Sequence, residues 1–228
     1  MKKYHWFLIF VFLAVWIWAA INPVFPHDWL LENYLVFFFI PIILLVGRYF
    51  KLSNVSYTLI TLFLILHVIG SHYTYVLVPF GDTLKEWFNA DRNMYDRLVH
   101  FSCGFLLFYP IREVFMRLVH VKGIWSYILP IDLWGSFSAI YEIIEWQAAK
   151  NVDPAAALSF LGSQGDIWDA QKDMFMALLG AILAALIVFC INWKYRKDFW
   201  KDMKEGFKLS RHDHELGEVE LARMLHQK

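Results

Sequence analysis

The chain has 228 residues, 59% of them hydrophobic and only 18% charged, and its 21 basic and 21 acidic side chains leave no formal net charge. Soluble domains run nearer about 45–50% apolar and about 25% charged, and a soluble fold this short lacks the interior to hide such a surplus. The composition excludes a typical soluble enzyme, a disordered chain and a disulfide scaffold. The zero charge gives no support for a nucleic-acid binder, and a membrane protein remains.

A spanning helix takes about 20 mostly apolar residues. Six such segments are expected, at 5–21, 34–47, 57–79, 98–119, 124–146 and 174–193. The first ends at Asn22-Pro23-Val24-Phe25-Pro26, which reads as a membrane exit turn rather than the cleavage site of a signal peptide. The fourth turns amphipathic after Ile111, where Glu113 precedes Arg117 by the four residues of a helical ion pair. The sixth carries Ala177, Gly180, Ala181, Ala184 and Ala185, small residues that allow helices to approach closely in lipid. Cys103 and Cys190 lie in apolar runs near opposite faces, out of reach of a mutual disulfide. The expected fold is an all-α, six-helix transmembrane domain over 1–193, followed by a tail over 194–228.

Lys and Arg set the orientation. Lys2, Lys3, Arg48, Lys51, Arg112, Arg117, Lys122 and the run Lys194 to Lys204 all fall on one side. The other side has no Lys or Arg in 22–33, then Lys85 and Arg92, then Lys150 and Lys172. Both termini are therefore expected in the cytoplasm. The segment 194–208 mixes bases with Tyr195, Phe199, Trp200 and Phe207, as in a helix lying on inner headgroups or a solvated stop-transfer flank.

Ionisable groups inside spans are costly and mark function by default. Asp96 and His100 open the fourth span one turn apart. Glu142 and Glu145 close the fifth. Asp166, Asp169 and Asp173 open the sixth, at spacings that stack them on one helix stripe. His72 lies in the outer half of the third span and His67 deeper. The orientation drawn from Lys and Arg alone gathers these groups at the extracytoplasmic ends of spans three to six. Six carboxylates cannot all stay ionised together without protonation, cationic partners or a metal. A divalent ion (Mg, Mn, Fe or Zn) held by His100, Glu142, Glu145, Asp166, Asp169 and Asp173 suits that ligand chemistry, with His72 or Asp96 as acid or base. Asp132, in the middle of the fifth span, points at a different angle and stands outside the cluster.

The stretch Phe160 to Met174, with Asp96-Arg97…His100-Phe101 and Tyr141-Glu142…Glu145-Trp146, resembles the YjdF-type bacterial inner-membrane proteins, a family known as a domain of unknown function. The resemblance covers nearly the whole chain except the tail, and implies a multi-pass protein of the bacterial inner membrane. A more distant resemblance is to the VanZ-like membrane proteins. Asp96-Arg97…His100-Phe101 matches their Asp-Lys…His-Phe element with Arg for Lys, Glu142…Glu145 their Glu-x-x-Gln element with Glu145 for Gln, and Asp173…Ala177…Gly180 their Arg-preceded Asp-x-x-x-Asn-x-x-Gly element with Ala177 for Asn and without a matching Arg. It implies a shared helical scaffold with a polar site toward the outer leaflet. Three functions follow as expectations: a metal-assisted enzyme on a lipid or polyprenyl headgroup, a proton-coupled transporter using Asp132 and His67, or a polar cluster that only fixes helix packing. Membrane lipids are the expected partners; the oligomeric state is left open.

Overall fold

The computed structural model describes residues 3–151, 161, 163–208 and 217–226, without the side chains of Val46 and of 217–221. Among the described residues every regular element is a helix: α1 (Lys3–Ala20), α2 (Pro26–Tyr49), α3 (Asn54–His72), α4 (Pro79–Phe88), α5 (Tyr95–Arg117), α6 (Trp125–Ala149), α7 (Asp169–Tyr195), α8 (Phe199–Glu205) and α9 (Gly217–His226). Five of them, α1, α2, α3, α5 and α7, are long and apolar enough to cross a membrane. α6 has the length, at 25 residues, but carries Asp132, Glu142 and Glu145.

The boundaries depart from the sequence expectation where local chemistry intervenes. α2 starts at Pro26 rather than 34, with a proline at its first position, where no amide is needed, and Asp28 in its first turn. This brings Glu32 and Asn33 inside the helix, both buried. Asn33 is held there by Trp16, whose indole N–H donates to its Oδ1 at 2.8 Å, and by its own donation to the Ser71 hydroxyl at 3.3 Å. α3 stops at His72 rather than 79, because Thr74 and Tyr75 adopt left-handed φ of 54° and 58°, which no helix accommodates. The chain restarts at Pro79 as the short amphipathic α4, an element the apolar runs did not announce. α7 opens at Asp169, so Asp166 lies in the turn before it rather than on its stripe. That turn needs left-handed backbone at Gln164 and Gly165.

The bundle is organised around α5, which packs on α3, α6 and α7; α1 and α2 pack on α3. The closest approach is α5 on α7. A Cβ at Gly104 would overlap the Ala177 carbonyl, and one at Gly180 the Phe101 carbonyl. Ala177, Ala181, Ala184 and Ala185 are all buried along this seam. Toward the tail, Phe108, Tyr127 and Trp134 join Ala181, Ala184 and Ala185 in one apolar cluster, and Arg112 stacks over Tyr127 at 4.3 Å. There too Glu113 accepts from the Ser53 amide and the Ser56 hydroxyl at the start of α3 and pairs with Arg117. Both cysteines are free.

Candidate functional site

The N-terminus of α5, the C-terminus of α6 and the N-terminus of α7 meet at one end of the bundle. The close α5–α7 seam brings the first turns of these two helices side by side. Two arginines bind them together. Arg97, 5% exposed, pairs with Asp173, with Asp169 at 2.5 Å and with Asp166 at 3.4 Å. Arg92 pairs with Asp169 and donates to the Ser163 carbonyl at 3.2 Å. Asp166 also accepts from Lys172 at 2.6 Å and from the Trp168 amide at 3.0 Å, and these donors hold its carboxyl below the usual carboxylate range. The preceding loop is locked by reciprocal bonds: the Asn93 amide donates to Gln164 Oε1 at 2.9 Å, and Gln164 Nε2 to the Asn93 carbonyl at 3.2 Å.

Beside this clamp a second group converges. His100 Nε2 lies 3.5 Å from Asp96 Oδ1 and 3.8 Å from Glu142 Oε1. One ligand-type atom from each of Asp96, His100 and Asp173 falls within 4.8 Å of the other two. Asp173 is 2% exposed, yet its Oδ1 has no hydrogen-bond partner, and neither has the buried Oε1 of Glu142. Buried carboxylate oxygens are almost always satisfied. The Asp173 carboxylate, the His100 imidazole and the Asp96 carboxylate form a donor set able to hold a hard or borderline cation, with the orphaned Glu142 oxygen beside it.

The other residues singled out in the sequence fall elsewhere. Asp166 and Asp169 are occupied by arginine and lysine rather than turned to the converging group. Glu145 sits on the α6 face that carries Tyr141, whose hydroxyl donates to Glu32 Oε2 at 3.2 Å. His67 donates from Nε2 to the Glu32 carbonyl at 3.1 Å and accepts from the Tyr75 hydroxyl at 2.6 Å. His72 donates from Nδ1 to the Ala19 carbonyl at 3.0 Å and stacks on Trp18 at 4.7 Å, which ties α1 to α3. Asp132 is exposed on α6, apart from every group above. Glu32, Tyr75, Tyr141 and Arg92 were not among the site residues read from the sequence. Glu32 was hidden because its span was expected to begin after it, and Arg92 because it looked like a loop charge.

Next to the converging group opens a cleft of about 580 Å³ between α2, α3, α5 and α6. Asp96, His100, Glu145, Tyr141, Tyr75, His67 and Glu32 line one end of it. Its walls continue past Phe39 and Ile42 of α2 and Leu107 and Ile111 of α5 as far as Phe50 and Leu52.

Compared with known proteins, residues 4–194 match the family described as "Predicted membrane protein (DUF2238)". The chain is 39% identical over 168 residues, 71% of its length, to "Inner membrane protein YjdF" of Escherichia coli (strain K12), of which the match covers 79%. No solved structure matches. The chain belongs to the DUF2238 family and is a multi-pass protein of the bacterial inner membrane.

Proposed function

We propose that this member of the family carries a divalent-metal site that acts on the headgroup of a membrane amphiphile. In this reading α6 is a sixth span, both termini lie in the cytoplasm, and the converging group faces the outer leaflet. The observation that carries it is the set Asp96, His100 and Asp173 with two orphaned buried oxygens, at the polar mouth of an apolar cleft. A tetrahedral ion with bonds near 2.1 Å holds neighbouring ligands about 3.4 Å apart, close to the 3.5 Å between His100 and Asp96. These residues would supply two carboxylates and an imidazole. Glu142, 3.8 Å from His100, would act as a base toward water at the site, and a bound ion would supply Lewis-acid activation for hydrolysis of a headgroup ester. Asp96, His100, Glu142 and Asp173 are also among the positions that carry the VanZ-like resemblance, and we extend the proposal of a shared scaffold to this site.

Elemental analysis and metal titration of the detergent-purified protein test the reading. The native chain should bind about one equivalent of Mn²⁺ or Zn²⁺. D173N and H100A should lose it and E142Q should retain it, because Glu142 is assigned to the water and not to the ion. A correctly folded native chain that takes up no metal sinks the proposal.

A further inference from the structure

We infer that the cleft binds a glycerolipid with a primary amine in its headgroup, the ammonium lying between Glu32 and Glu145 and the chain running down the α2–α5 wall. The inference deepens the reading above by naming its class of amphiphile.

Charge is the first ground. The described residues lining the cleft include three carboxylates, Glu32, Asp96 and Glu145, and no Lys or Arg. The arginines of this end, Arg92 and Arg97, are not among them; they engage Asp166 and the carboxylates of α7, and Arg92 also lies 3.7 Å from Asp96, so that Glu32 and Glu145 are the two without an arginine. Carboxylates at a low-dielectric wall take up either a proton or a counter-charge. Asp96 can share the proposed ion, but Glu32 and Glu145 belong to the Tyr141 and Tyr75 side of the mouth. A ligand ammonium satisfies both electrostatically and by its three donors, with two aromatic rings at hand.

Unpartnered polar groups are the second and independent ground. Thr74, Ser138 and Trp134 line the same cleft and are 6%, 7% and 8% exposed. Thr74 Oγ1, Ser138 Oγ and Trp134 Nε1 all lack a hydrogen-bond partner. At 1.5 Å per residue, Ser138 lies about 10 Å below Glu145 along α6 and Trp134 about 6 Å further. A glycerolipid carries its ester carbonyls, which are acceptors only, between headgroup and chains. Ser138 lies at that depth and would reach an ester carbonyl by a rotation of its side chain, since its hydroxyl, like Thr74 Oγ1 and the deeper Trp134 Nε1, is itself buried. Below them the lining is aliphatic and aromatic. An anionic headgroup without an amine meets the same carboxylates as repulsion.

The full chain, purified and placed in nanodiscs of equal parts ethanolamine- and glycerol-headed phospholipid with identical acyl chains, tests this by native mass spectrometry of retained lipid. The ethanolamine lipid should be retained about tenfold over the glycerol lipid, with or without EDTA. N-acylating the ethanolamine, which removes its charge and leaves its phosphate, should abolish the preference in the native chain, so the result does not hang on any variant folding. E32Q/E145Q should lose the preference while still binding metal, and D173N should lose metal while keeping the preference. Equal retention of the two lipids, or undiminished retention of the N-acylated lipid, overturns the inference and leaves the metal reading standing. Intact preference in a chain that binds no metal overturns only the latter.

Discussion

Arg97 is the side chain on which most of the charge at this end depends. Its guanidinium reaches Asp166, Asp169 and Asp173 at once, a geometry that suits a planar fork and not a single ammonium. Truncation in R97A leaves buried carboxylates uncompensated and should cost about 3–5 kcal/mol, read as a lower melting temperature in detergent. R97K should recover only part of that. Acidification should stabilise R97A relative to the native chain, since protonation then removes an unbalanced charge. The sequence led to the expectation that these ionisable residues share one neighbourhood, and spacing along each helix put Asp96 with His100 and Asp169 with Asp173. It pooled what the fold separates, because spacing gives the angle of a residue around its own helix but not the rotation of one helix against another. That rotation turns Asp169 to arginine, Asp173 to both arginine and His100, and Glu145 to the cleft that Glu32 of α2 also lines.

Among the elements, α5 and α7 form the rigid pair. Gly104 and Gly180 are each faced by a backbone carbonyl of the other helix, and a carbonyl cannot swing aside as a side chain can. G104A should therefore push the helices apart and cost about 1–3 kcal/mol. By contrast G135A, where the nearest atom is a Leu178 methyl at 3.7 Å, should be close to neutral; chemical denaturation in mixed micelles compares the two. The run of small residues in the sixth span was legible as a packing face, and it is one. The end of α3 was not, since the apolar run continues through Val76, Leu77 and Val78 while the backbone turns left-handed at Thr74 and Tyr75. Hydropathy does not register a turn made of apolar and aromatic residues.

For the whole molecule, the distribution of Lys and Arg remains the basis of the orientation we propose. Fusion of a reporter active only in the periplasm to residue 228 should give no signal, and fusion after Lys150 should give one; the reverse pattern would invert the molecule and place the site inside. The membrane class and inner-membrane location were readable from composition together with family resemblance. The cleft was not, because it exists only between four helices, none of which shows it alone.

Arg97 lies 69 or more positions ahead of its acidic partners on the chain, and all of α6 is made between them. During synthesis the arginine is therefore committed before any of those aspartates has left the ribosome. Until α7 arrives, α5 holds a cation without its counter-charges at the membrane boundary. A chain cut short before α7 keeps that defect, and should be degraded faster in the cell than the full chain, which a pulse-chase of the two measures.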